Sequence, residues 1–281
     1  MQKRVLTIQD ISLVGRCSLT VALPLLSAIG HETVVLPTAI LSSQPSGFGE
    51  FTHRDLSEDI VPIKNHWASF NLKFDAIYSG FLSSPEQIEM ISQIFDEFKT
   101  SDSLIIVDPV MGDNGKLYSI VSEKMLEGMK KLCSKADVII PNLTEASFML
   151  GEKYLESDYD ENYVLGIAKK LAKLGAKKII LTGISFERNK IGSFFYDSKT
   201  FEHEYIFSEK IDGSFHGTGD IFASVFTGTL LNELNFKKSI VLASDFVKKS
   251  IEKTIELGLE KRQGVAFEPV IAELLKKNRK K

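Results

Sequence analysis

Short β-branched runs alternate along the chain with longer segments whose apolar residues recur every three or four positions, the pattern of βαβ units around a mostly parallel sheet. Residues 5–8, 32–37, 76–79, 104–107, 138–141 and 178–181 predict strands, and the segments 18–29, 55–69, 85–99, 122–134 and 161–174 between them predict helices. After Gly183 the rhythm changes. The aromatic-rich runs 192–196 and 202–207 flank Asp197-Ser198-Lys199, which predicts a hairpin and an antiparallel edge on the sheet. Helical spacing returns at 221–234, 238–257 and 268–277. With no internal repeat or low-complexity linker, residues 1–281 read as one α/β domain of three layers, a mostly parallel central sheet flanked by helices.

Composition narrows this picture without changing it. A chain of 281 residues has room for one sizeable core. Its 43% hydrophobic and 25% charged content is ordinary for a soluble enzyme, and a net charge of −3 offers no global attraction to nucleic acid or anionic membrane. Only the tail Lys276-Lys277-Asn278-Arg279-Lys280-Lys281 is strongly basic, and it reads as a solvated helix end. Two distant cysteines, Cys17 and Cys133, indicate neither a disulfide framework nor a structural zinc site. With no signal-peptide core and no run of membrane-spanning length, a reducing cytoplasm is the expected location.

In an open α/β sheet the ligand crevice lies beyond the C-terminal strand ends, so the polar residues there carry the chemistry. The most informative stretch is Gly217-Thr218-Gly219-Asp220, just ahead of an apolar helical run. Its glycines let successive N–H groups converge on a phosphate, and the helix that follows adds the positive end of its dipole. Asp220 in the first turn stands where a carboxylate can orient an alcohol and accept its proton. A plain loop-to-helix junction capped by Thr218 or Asp220 has the same sequence signature. Asp108-Pro109-Val110-Met111-Gly112-Asp113 follows the fourth strand and Pro141-Asn142-Leu143-Thr144-Glu145 the fifth. Magnesium needs only one or two protein carboxylates plus substrate phosphates, which Asp113 and Glu145 could supply. Asn142 is suited to hydrogen-bond a phosphate oxygen. No Walker loop, no protein-kinase motif and no first-strand dinucleotide fingerprint occurs.

This combination resembles the ribokinase-like small-molecule kinases, and within them the pyridoxal and pyridoxamine kinases of vitamin B6 salvage. The likeness is carried by Thr7-Ile8-Gln9-Asp10 with Gly15, Ser43-Gln44-Pro45-Ser46-Gly47-Phe48, Tyr78-Ser79-Gly80-Phe81, Asp108 to Asp113, Asn142 to Glu145 and the Gly217 loop. The resemblance implies ATP and Mg²⁺ as cofactors, with a monovalent cation as a further candidate, a B6 vitamer as acceptor, and a homodimer. It implies Asp220 as base, with Gly217, Thr218 and Gly219 as the anion hole. Asp113, Asn142 and Glu145 would serve Mg-ATP, Thr182 and Gly183 the nucleotide, and Ser46 and Phe81 the pyridine ring, under a flap at 44–49. Two departures bear on the acceptor. Asp10 stands where many such kinases have serine and Phe81 where many have tyrosine, so Asp10 is expected to pair with a protonated group and to favour pyridoxamine over the aldehyde. A hydroxymethylpyrimidine kinase of thiamine synthesis shares the same motifs and is the nearest alternative, followed by a non-catalytic vitamer-binding protein. His216, Cys17 and Trp67 attract notice but read as structural.

Overall fold

The computed structural model describes residues 2–45 and 47–278, so Ser46 and the tail end 279–281 lie outside the described residues. The strands are β1 (Arg4–Ser12), β2 (Glu32–Leu41), β3 (His53–Asp55), β4 (Ala76–Ser79), β5 (Leu104–Val107), β6 (Gly112–Asp113), β7 (Lys116–Leu117), β8 (Val138–Ile139), β9 (Lys178–Ile184), β10 (Lys190–Asp197) and β11 (His203–Glu209). The helices are α1 (Leu19–Ile29), α2 (Ser57–Ser69), α3 (Pro85–Phe98), α4 (Glu123–Lys135), α5 (Leu143–Leu150), α6 (Glu161–Lys173), α7 (Thr218–Leu231), α8 (Phe236–Glu256) and α9 (Ile271–Asn278). Nine strands form one sheet in the order β11-β10-β9-β8-β5-β4-β1-β2-β3, while β6 and β7 make a separate hairpin. The six central strands are parallel. Both edges are antiparallel: β10 and β11 as the aromatic runs predict, and β3 on β2, which the sequence reading does not predict and whose last residue, Asp55, it takes as the start of a helix.

Strand side chains alternate between two cores, as the pleat requires. Leu6, Ile8, Ile77, Ile105, Val107, Ile139, Ile179 and Leu181 face one way, into a cluster with buried residues of α2 to α6. Val5, Ala76, Tyr78, Ile106, Val138 and Ile180 face the other way, against α1, α7, α8 and α9. Each fully buried Leu, Ile or Phe contributes roughly 1.5–3 kcal/mol by leaving water, so the two clusters hold the three layers together. Trp67, expected as an anchor, packs edge-on against Phe74 and Phe98 at 6.1 and 6.3 Å. No described helix is long and apolar enough to cross a membrane.

The site is positioned by topology. From β1 the chain moves to β2 on one side and then to β4 on the other, and this reversal opens a crevice at the C-terminal ends of β1 and β4. Helix starts divide into two kinds. Ser84, Ser122, Asn142, Asp160 and Asn235 cap α3, α4, α5, α6 and α8 with their side chains. By contrast α1 and α7, which begin at the crevice, have no side-chain cap, as is also the case for α2. Val21 N of α1 donates to Ser18 O at 3.0 Å and Ser57 N of α2 to Asp55 Oδ1 at 2.7 Å, whereas among the described residues the N–H groups of Thr218 and Gly219 at the start of α7 are left for other partners.

Candidate active site

The nest is built as the sequence implies. Gly217 is the N-terminal cap residue of α7 at φ +82°, and a Cβ there would lie 2.1 Å from the Arg16 carbonyl oxygen, so only glycine fits. Thr218 Oγ1 donates to the Phe215 carbonyl at 3.3 Å, and no side chain caps the helix. The simple-cap interpretation of the motif therefore fails: neither Thr218 nor Asp220 occupies the orphan N–H groups of α7.

Asp10 lies inside β1, which runs four residues past the predicted end at Ile8. The ladder with β2 slips between Gln9 and Ile11, and this bulge turns Asp10 into the crevice region. The side chain is 3% exposed; Ser12 Oγ donates to it at 3.0 Å, and the Ser18 hydroxyl also faces it. Burial raises its pKa against these hydrogen bonds. Ser18, the residue before α1, has φ +51°, an uncommon left-handed conformation for a side chain with a Cβ. Its backbone N–H holds the Asp220 carboxyl down and its hydroxyl does the same for Asp10, so one residue acts on both acids.

Asp220 is pushed up to about 7: burial raises it most, the Ser18 N–H opposes the rise, and the charge of Asp10 adds to it. The residue keeps part of its surface open to the crevice, which leaves it accessible to an incoming alcohol. Asp108, at the end of β5, is 7% exposed, and its Oδ2 lies 4.0 Å from where a Cβ on Gly219 would be. Burial and then the charge of Asp220 hold its carboxyl well above the usual range. Glu145 is 3% exposed and closes a capping box on α5: it accepts from Asn142 N at 2.8 Å while Asn142 Oδ1 accepts from Glu145 N at 2.9 Å. Its other oxygen accepts from Met111 N at 3.1 Å. Burial and then Asp108 raise Glu145, and these backbone N–H groups pull it back.

The crevice thus collects Asp10, Asp220, Asp108 and Glu145, and among the described residues none of them forms an ion pair with Lys, Arg or His. Such a cluster is eased by a divalent cation or a cationic substrate group. No three His, Cys, Asp or Glu side chains converge into a cage among the described residues. The donor set fits Mg²⁺ completed by phosphate oxygens and water, at Asp108 and Glu145, better than a site built wholly from protein.

Other expected residues are dispersed around this centre. Asp113 is exposed on the β6 hairpin, where its two oxygens accept from Asn114 N and Asn114 Nδ2 at 2.8 and 2.9 Å. Asn142 Nδ2 donates to the Gly112 carbonyl at 2.9 Å, tying that hairpin to α5. Asn142 also bridges to Thr182, whose N–H donates to Pro141 O at 3.0 Å, and Gly183 follows with φ +73° and open space around its Cα. Phe81 is half-buried just beyond β4, the strand paired in parallel with β1. Of the flap, Gln44 Nε2 donates to Arg262 O at 2.9 Å and the Phe48 ring lies 5.3 Å from the Arg262 guanidinium. Cys17 is half-buried, and burial, then Asp220 and Asp10, push its thiol up to about 12, so it is a packing residue and not a nucleophile. His216 engages through its carbonyl, which accepts from Val265 N at 3.2 Å.

Three contributors were not assigned a role from sequence. Asp108 was visible as a strand-end carboxylate but ambiguous between turn and site. Ser18 carried no signal, because its role depends on a backbone N–H. Tyr78 looked like a strand apolar; it is wholly buried near Asp108 and Asp220, and burial and then those charges keep its phenol protonated.

Comparison with known proteins adds an independent line. Residues 25–265 match the family model described as phosphomethylpyrimidine kinase. A Bacteroides thetaiotaomicron protein provisionally described as a phosphomethylpyrimidine kinase and crystallised with pyridoxal is 34% identical, with a TM-score of 0.93 over 98% of this chain and 96% of that one. The pyridoxal kinase of Lactobacillus plantarum is 29% identical, with a TM-score of 0.91 over 99% of this chain and 98% of its own. The pyridoxine kinase of Bacillus subtilis is 29% identical over 78% of this chain and 79% of its own length.

Proposed function

The chain belongs to the phosphomethylpyrimidine kinase family, in the ribokinase-like superfamily, and we propose that it transfers the γ-phosphoryl group of ATP to the 5'-hydroxymethyl group of a vitamin B6 vitamer. The observation that carries this reading is the placement of Asp220 between an uncapped helix N-terminus and the buried carboxylates Asp10 and Asp108. Relatives named for pyridoxal and pyridoxine, one of them crystallised with pyridoxal, support a pyridine ring as the acceptor.

In this mechanism Asp220 accepts a hydrogen bond from the acceptor alcohol, aligns it in line with the γ-phosphorus and takes its proton late in transfer. The N–H groups of Gly217, Thr218 and Gly219 stabilise the charge that spreads over the equatorial oxygens. Asn142, Thr182 and Gly183 line the nucleotide side, with Asp113 at its outer rim. Glu145 and Asp108 would hold Mg²⁺, directly or through water, and the cation would supply positive charge to the triphosphate. Phe81 stacks on the ring, and Asp10 pairs with its protonated nitrogen or amine. Ser46, which the resemblance also assigns to the ring, lies outside the described residues. The protein acts in the cytoplasm as a homodimer.

The test is ATP consumption with pyridoxal, pyridoxamine, pyridoxine, hydroxymethylpyrimidine or no acceptor. Turnover with a vitamer is expected, together with a preference for pyridoxamine that Asp10→Ser diminishes. Turnover confined to hydroxymethylpyrimidine would transfer the activity to thiamine synthesis, and no acceptor-dependent turnover would leave only a binding role.

A further inference from the structure

We infer that Arg16 is a positioning residue for phosphoryl transfer: docked on the C-terminal turns, it holds the β1–α1 loop at the depth where its carbonyl meets Gly217 and Ser18 reaches Asp220. The inference rests on the kinase reading above. Its basis is a stack of close contacts. The Arg16 backbone lies between two glycines: a Cβ on Gly217 would be 2.1 Å from Arg16 O, and a Cβ on Gly264 would be 2.8 Å from the same oxygen and 2.9 Å from Arg16 N and Cβ. Side chains are excluded on both faces, so the loop has no slack in that direction.

The C-terminal segment fixes the remaining directions. Arg16 N donates to Gln263 O at 3.1 Å and Arg16 Nη1 donates to the same oxygen at 3.4 Å. Arg16 Nε donates to Glu268 at 2.7 and 2.9 Å, a contact across 252 residues of sequence. Val265 N donates to His216 O, so the same segment also holds the residue just ahead of the nest. Two positions past Arg16, Ser18 adopts its left-handed φ with the N–H aimed at Asp220. A conformation of that kind persists only where neighbouring contacts impose it. Among the described residues the titratable groups facing Asp220 from the elements around it are Asp10, Cys17, Tyr78, Asp108 and Tyr118, none of them cationic, so the Ser18 N–H is the donor that the loop brings.

The Arg16 and Glu268 side chains are 27% and 50% exposed, and pairs so open to water add little to global stability. A misplacement of about 1 Å at a reacting group, by contrast, costs on the order of 10²-fold in rate. Removing the guanidinium is therefore expected to act on turnover and not on folding.

The experiment compares Arg16→Ala, Arg16→Lys, Glu268→Gln and Arg16→Ala combined with Asp220→Asn, with Lys64→Ala as a control at the unrelated Lys64–Glu97 pair. Arg16→Ala is expected to lower kcat about 10- to 100-fold, with KM for ATP changed by less than about threefold and Tm close to that of the control. Arg16→Lys recovers part of the loss and Glu268→Gln reproduces part of it. In the Asp220→Asn background Arg16→Ala has almost no further effect, because the base it positions is gone. Unchanged kcat in Arg16→Ala, an undiminished effect in the Asp220→Asn background, or a fall in Tm that tracks the loss of activity would each overturn the inference. Rates are measured with whichever alcohol the parent phosphorylates, so a parent specific for hydroxymethylpyrimidine overturns the vitamer reading and leaves this test intact.

Discussion

Near neutral pH the Asp220 carboxyl of the free protein is poised between its two forms, because burial and the charge of Asp10 outweigh the Ser18 N–H and bring its pKa to about 7. A helix N-terminus alone would keep an aspartate ionised, and from sequence that is the expectation. The difference comes from neighbours that adjoin only in three dimensions. The protonated acid cannot accept the alcohol's proton, so kcat/KM is expected to fall below pH about 7, and an acid limb near pH 4 would show that burial is overridden. Asp220→Ala should lose on the order of 10²- to 10⁴-fold in kcat while ATP still binds. Stability follows the same shift. A folded-state pKa above the unfolded value makes the ionised acid a cost that begins near pH 4 and is complete above pH about 7. Asp220→Asn is accordingly expected to raise unfolding free energy by roughly 1–2 kcal/mol at pH 8, less than the full shift implies because water reaches part of the side chain, and to gain little at pH 4. Denaturant titration at the two pH values checks this.

Glycines with similar backbone angles differ sharply once their surroundings are known. Gly217 at φ +82° abuts Arg16, whereas Gly183 at φ +73° faces open space. Gly217→Ala therefore meets both strain and a clash that moves the β1–α1 loop; it should cost more than about 2 kcal/mol and remove most turnover. Gly183→Ala meets strain alone, about 1 kcal/mol, and should keep kcat within severalfold. Equal effects in thermal melts and turnover would show that the packing against Arg16 is unimportant. At this scale the amphipathic spacing announced α1 to α4, α6 to α9 and the β10–β11 hairpin. It missed β3 and α5. A strand of three exposed residues has no apolar alternation to detect, and α5 is an eight-residue helix, too short for a helical period to stand out.

Across the whole molecule, four carboxylates, two from the ends of β1 and β5 and two from the first turns of α5 and α7, are gathered with no ion pair to Lys, Arg or His among the described residues, so metal binding and folding are linked. Mg²⁺ with ADP is expected to raise Tm by several degrees at pH 8, the scale of a ligand held near 100 times its Kd. The gain should shrink as pH falls, because burial raises both Asp108 and Glu145 and protons then compete with the metal, and largely vanish in Glu145→Gln. A shift independent of pH would place the metal elsewhere. What the sequence by itself determined was the layered α/β fold, the nest and its adjoining carboxylate, because hydrophobic period and glycine chemistry are local properties. Tertiary structure decided which acids meet. It set Asp108 against the nest and Asp113 on an exposed hairpin, and it brought the N–H of Ser18 to Asp220. Those outcomes depend on sheet order and on a C-terminal turn closing over the first loop, and contacts between residues so far apart leave no local pattern to read.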